Sequence, residues 1–106
     1  MLVVTGTVER VNERQAGTPG GRQWTERTVV VSNWGSKEYV VLGRELNESG
    51  WEPTPGETVA LEVSVRAYVR KDGTPRPSHE HAAGWGLTAT RRDRELEAAL
   101  AAPTRA

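Results

Sequence analysis

Gly56–Arg70, GETVALEVSVRAYVR, carries the clearest period in the chain. From Val59 onward, apolar residues fall on every second position: Val59, Leu61, Val63, Val65, Ala67 and Val69. The alternate set reads Ala60, Glu62, Ser64, Arg66, Tyr68 and Arg70. A period of two puts the two sets on opposite faces of a β-strand, whereas a helix would scatter both around its axis. The length exceeds that of a usual strand and suggests one that coils around a barrel. One face is core. The other ends in Arg66-x-Tyr68-x-Arg70, a cation, a ring and a cation in a row. That row is either an ordinary solvated face or a ligand surface.

Working backward from this strand, Leu2–Val11 reads as a first strand. Val4, Gly6 and Val8 share one parity and Val11 breaks it, which predicts a bulge or sharp coil at a corner. Asn12–Arg22, NERQAGTPGGR, is expected to be a flexible loop, with Gly17, Pro19, Gly20 and Gly21 and almost no apolar side chains. Trp24–Asn33 is a second strand, with Val29 and Val31 inward and Trp24, Glu26, Thr28 and Val30 outward. Asn33-Trp34-Gly35-Ser36 is a turn. Lys37–Leu42 returns as a third strand, placing Val40 and Leu42 inside and Lys37, Tyr39 and Val41 outside.

Gly43–Pro55 has room for one helical turn before Gly50, and Leu46 or Trp51 is expected to plug the open end of a barrel. After the long strand, Lys71-Asp72-Gly73 signals a turn. Pro75 and Pro77 extend it into a projecting loop, because proline cannot donate to a ladder. Trp85, Leu87 and Ala89 alternate in a fifth strand. Thr90-Arg91-Arg92-Asp93 has the form of a capping box, opening a helix over Arg94–Ala102 with Leu96, Ala99 and Leu100 on one face. The expected organisation is a β-domain over 1–90 and a helix with tail over 91–106.

Composition narrows the class. At 106 residues the chain is one domain with a modest core. Formal net charge is zero, which argues against a histone-like electrostatic binder while leaving room for a local basic groove. There is no Cys, hence no disulfide frame and no thiolate chemistry. No apolar window is long enough for a membrane span, so a cytoplasmic protein without a membrane partner is expected. Ser78-His79-Glu80-His81 places two His at i, i+2, but a Pro-rich loop without Cys or a third His is a poor metal site. No nucleophile–base constellation and no phosphate-loop spacing stands out, so neither enzyme activity nor a cofactor is expected.

Five strands with this order of loops, led by Val4-x-Gly6-x-Val8 and by Pro55-Gly56-Glu57-x-Val59 at the start of the fourth strand, resemble an oligonucleotide/oligosaccharide-binding (OB) fold over residues 1–90. Within it, the chain resembles the single-stranded-DNA-binding proteins. The resemblance implies a mainly β, five-stranded Greek-key barrel carrying a short C-terminal helix. It also implies a ligand lying across the second and third strands, between the first loop and the loop joining strands four and five. Non-specific strand binding needs flat π faces for bases and cations for phosphates. Trp24, Trp34, Tyr39 and Tyr68 lie outside the aliphatic parity or in a turn, and Lys37, Arg66, Arg70, Lys71 and Arg76 lie in the same elements. The expected function is sequence-tolerant binding of single-stranded DNA, or of RNA, by a homo-oligomeric barrel. The alternative is a protein-interaction module, or an oligomeric structural barrel, that uses the same exposed aromatics.

Overall fold

The computed structural model describes residues 2–69 and 83–102, with side chains described for 2–65 and 86–102. It is mainly β. Five strands, β1 (Leu2–Gly17), β2 (Gln23–Asn33), β3 (Ser36–Leu42), β4 (Thr58–Val69) and β5 (Ala83–Arg92), form one sheet. A four-residue helix, α1 (Arg44–Asn47), lies between β3 and β4, and α2 (Arg94–Ala101) follows β5. The sheet closes into a ring in the order β1-β2-β3-β5-β4. All neighbours are antiparallel except β3 and β5, which run parallel through Val40–Leu42 and Leu87–Ala89. Among the described residues, no helix is long and apolar enough to cross a membrane.

Closure depends on β1 changing partners. Leu2–Thr7 pairs with β4, and Thr7–Gly17 pairs with β2. The corner is where the broken parity of the first strand predicts it. Gly6 has φ +154°, and a Cβ there would collide with the Ser32 carbonyl oxygen. The register with β2 then slips between Val8 and Arg10. A bulge bends the strand and resets its parity, so Val11 packs against the same core as Val8.

The core follows the period-two reading through most of its length. Val29, Val31, Val40, Val59 and Leu61 are fully enclosed, and Val8, Leu42, Val63 and Ala89 are buried beside them. Leu46 of α1 plugs one end of the ring, and Trp51 packs partly buried against the same cluster.

Five expectations are corrected. First, Asn12–Gly17 is not loop but the outer half of β1, and only residues 18–22 turn. Polar residues hold this ribbon through backbone pairing and cross-strand contacts rather than through apolar burial: Arg14 Nε donates to Glu26 Oε1 at 2.8 Å, and Gln15 Nε2 to Thr25 Oγ1 at 3.2 Å.

Second, Val65 has the core parity yet is 46 % exposed. The β1–β4 ladder ends at Leu2 and Val63, so β4 runs beyond the wall that would cover it.

Third, three residues of the outward sets are buried: Val30, Ala60 and Glu62. Val30 lies between Arg10 and Tyr39 in the register, and those two side chains meet across it, with Arg10 Nη2 donating to the Tyr39 hydroxyl at 3.5 Å. Ala60 and Glu62 sit on the part of β4 to which α2 is tied, and Glu62 forms an ion pair with Arg91.

Fourth, the cap of α2 is Asp93 itself, whose side chain accepts from the Leu96 amide at 3.0 Å. Thr90, Arg91 and Arg92 remain in β5.

Fifth, the most deeply buried position of α2 is not in the apolar set Leu96, Ala99 and Leu100, of which only Leu96 is half-buried. Its buried residue is Glu97, and Leu100 is 49 % exposed.

Candidate nucleic-acid interface

The alternation of β2 and β3 builds the outer face. On β2, Trp24, Glu26, Thr28, Val30 and Ser32 share one parity. The ladder sets Val30 opposite Tyr39 and Ser32 opposite Lys37. Pairing with β1 adds Arg10 beside Val30 and Arg14 beside Glu26. Tyr39 is 51 % exposed and Trp24 45 % exposed, so each presents ring surface to solvent while its base is held by the sheet.

Tyr39 is the best positioned of the rings. The Arg10 guanidinium carbon stands 6.0 Å from its ring centroid, at the outer limit of a cation–π contact. Lys37 lies two residues earlier on the same side of β3. Its Nζ reaches Glu9 Oε1 at 3.0 Å, and Arg10 also reaches that oxygen, at 3.7 Å. Arg14 is held bidentately by Glu26, at 2.8 and 3.4 Å. That hydrogen bond, and then the carboxylate charge, raise the Arg14 pKa above its ordinary value. Each cation identified on this part of the face thus already faces a carboxylate. A phosphate would have to compete with Glu9 or Glu26, so electrostatic attraction is local and partly neutralised.

Trp34 stands apart. It occupies the first central position of the β2–β3 turn, with φ 51°, followed by Gly35 at φ 85°. Two positive-φ residues are what a two-residue type I′ hairpin needs, and Asn-Gly is the usual choice. A bulky indole in this conformation is strained. It is also fully exposed, so packing does not compensate. Ten residues of strand separate Trp24 from Trp34, roughly 33 Å at ordinary rise. The two indoles lie at opposite ends of the face and do not form one stack.

The remaining sequence-derived positions divide by what the structure describes. Arg66 and Tyr68 pair by backbone with Gly86 and Gly84 of β5, and their side chains lie outside the described set. Arg70, Lys71 and Arg76 lie outside the described residues, as do the turn at Lys71–Gly73, Pro75, Pro77 and the His79/His81 pair.

Two cations of this face, Arg10 and Arg14, escape sequence reasoning because Asn12–Arg22 has the composition of a loop. The available signal was their shared parity with Asn12 and Ala16. Arg27 is also missed. It has the inward parity of Val29 and Val31, yet it is 8 % exposed and fully engaged. Its Nε donates to Asn47 Oδ1 at 2.7 Å, Nη2 to the Asn47 carbonyl at 2.9 Å, and Nη1 to the Trp51 carbonyl at 3.0 Å. Asn47 Nδ2 in turn donates to the Thr25 carbonyl at 2.8 Å. This lock fixes α1 against β2 and sets one border of the face. Comparison with protein-family models, with curated proteins and with solved structures returns no match.

Proposed function

We propose that this protein is a non-enzymatic binder of single-stranded DNA, with bases stacking on the outer face of β2 and β3 and little preference for sequence. The observation that carries this reading is Tyr39: half exposed, central on the face, flanked by Arg10 and Lys37. Trp24 offers a second ring toward the β1–β2 turn. The proposed site also includes Trp34, Arg66, Tyr68, Arg70, Lys71 and Arg76 from their sequence positions.

An OB-like assignment supports the same reading. The ring order β1-β2-β3-β5-β4, the parallel β3–β5 pair and a helix between β3 and β4 fit such a barrel. In that architecture the β2–β3 face takes oligonucleotides. Because Glu9 and Glu26 neutralise much of the local charge, stacking supplies more of the affinity than counterion release.

Titration with a labelled oligo(dT) at two salt concentrations, read by tryptophan fluorescence and anisotropy, tests it. Binding with quenching and a shallow salt slope is expected. No quenching and no anisotropy change at low salt would overturn it.

A second reading, self-association or docking of another protein, is favoured by the other end of the ring. There Trp34 and Leu2 are exposed near the partly covered Leu87, opposite which the exposed Val65 stands in the β4–β5 ladder. Sedimentation velocity over a concentration series reads that alternative directly.

A further inference from the structure

We infer that the groove between the β1–β2 turn and α1 binds a nucleoside monophosphate, with the phosphate taking the place of the Glu48 carboxylate between Arg22 and Arg44. The groove has a volume of about 790 Å³. That lies within the roughly 300–1,000 Å³ usual for small-molecule sites. Trp24, Thr25 and Leu42 line it together with Arg22 and Arg44.

The charges decide the ligand class. Arg22 comes from the turn and Arg44 from the first position of α1. Arg22 Nη2 lies 3.1 Å from Glu48 Oε1, and Arg44 Nε lies 3.5 Å from the same oxygen. A single carboxylate oxygen therefore marks the point where two guanidinium groups from different elements meet. All three side chains are more than half exposed, so Glu48 can swing into water at little cost.

A phosphate monoester carries nearly two charges and offers three acceptor oxygens, where Glu48 offers one oxygen to both arginines. It is the better occupant of that point. Arg27, the third arginine on the groove, is engaged by Asn47, the Trp51 carbonyl and Glu52 and takes no part. Glu13 also lines the groove and Glu52 is paired with Arg27 at 3.3 Å, so neither carboxylate offers an anion a partner, and the Arg22–Arg44 pair is left as the point for the phosphate. Trp24 gives a planar base a surface on which to stack. The inference stands whether or not a strand lies on the outer face.

Calorimetric titration of the full chain with dTMP and with thymidine tests the site. Binding of dTMP, with thymidine weaker by roughly tenfold or more, is expected from loss of charge-assisted hydrogen bonds. The diagnostic variant is Glu48→Gln, at an exposed position where folding is not at issue. It should bind dTMP tighter by up to roughly fivefold, because the competing charge is gone. Arg44→Ala should weaken dTMP without changing the thymidine result.

Oligo(dT) with a 5′-phosphate and oligo(dT) with a 5′-hydroxyl separate the two sources of this chemistry. Displacement of dTMP only by the phosphorylated strand assigns the groove to a strand terminus, and displacement by neither assigns it to a free nucleotide. The inference is overturned if dTMP and thymidine bind alike, if dTMP does not bind, or if Glu48→Gln weakens dTMP. Trp24 borders both sites and Tyr39 only the outer face. Loss of 5′-hydroxyl strand binding in Tyr39→Ala with dTMP binding retained assigns the strand to the outer face, so the two readings fail separately.

Discussion

Arg92 grips Glu97 with two hydrogen bonds, Nη2 to Oε1 at 2.8 Å and Nε to Oε2 at 3.0 Å, across the junction between β5 and α2. The same Glu97 Oε2 accepts the Ala60 amide of β4 at 3.0 Å. Arg92 also reaches Glu57 Oε2 at 3.0 Å and lies over the Trp51 ring, 4.2 Å from its centroid. Trp51 Nε1 points to both Glu57 oxygens at 3.3 Å. One glutamate on a short amphipathic helix thus ties α2 to two strands and, through Arg92, to the loop before β4.

Glu97→Ala is accordingly expected to destabilise the whole fold by about 3 kcal/mol, since removing one partner leaves a mostly buried guanidinium undercompensated. Ala60 also loses its acceptor. Urea unfolding checks this, and a change below about 0.5 kcal/mol would show that α2 is dispensable. Truncation after Arg92 removes the same contacts and should lower stability at least as much. Unchanged stability after the truncation would instead place a domain limit near residue 90.

Arg27→Met should cost about 2 kcal/mol, because Asn47 and the Trp51 carbonyl lose their charged donor while the inward parity is kept. A double-mutant cycle with Asn47→Ala checks it. Strictly additive effects would mean that the two side chains do not act as a unit.

Trp34→Asn should raise stability by about 1 kcal/mol, because asparagine tolerates the left-handed conformation at this turn and the indole makes no compensating contact. Thermal unfolding of the two proteins measures the difference. If the variant is also impaired in self-association, the strain at Trp34 serves an interface. A drop in stability would show that the indole packs in solution.

Tyr39→Ala should weaken oligo(dT) binding by ~1–3 kcal/mol with the fold intact, since the ring is half exposed. Arg10→Ala should weaken it less and flatten the salt slope by at most about 0.7, the share of one phosphate contact on a single strand. Anisotropy titration at two salt concentrations gives both numbers. Unchanged affinity in Tyr39→Ala would remove the β2–β3 face as the binding surface.

The alternation of Val59, Leu61 and Val63, the inward pair Val40/Leu42, the corner near Gly6 and a plug from the Leu46–Trp51 stretch are determined by the sequence itself. Each is a local consequence of which side of a strand or turn an apolar side chain occupies, and a period of two states that without reference to the rest of the chain. Sequence also places Tyr39 and Lys37 on the outer parity of β3. Only the tertiary structure decides that Asn12–Gly17 is strand, because its pairing rests on backbone bonds to a segment across the turn, and polar composition does not record a partner. Only the tertiary structure buries Val30, Ala60 and Glu97 and exposes Val65. Burial depends on what crosses above a face, and the covering groups, Arg10 with Tyr39 and α2 with Arg92, come from elements that meet only when the ring closes.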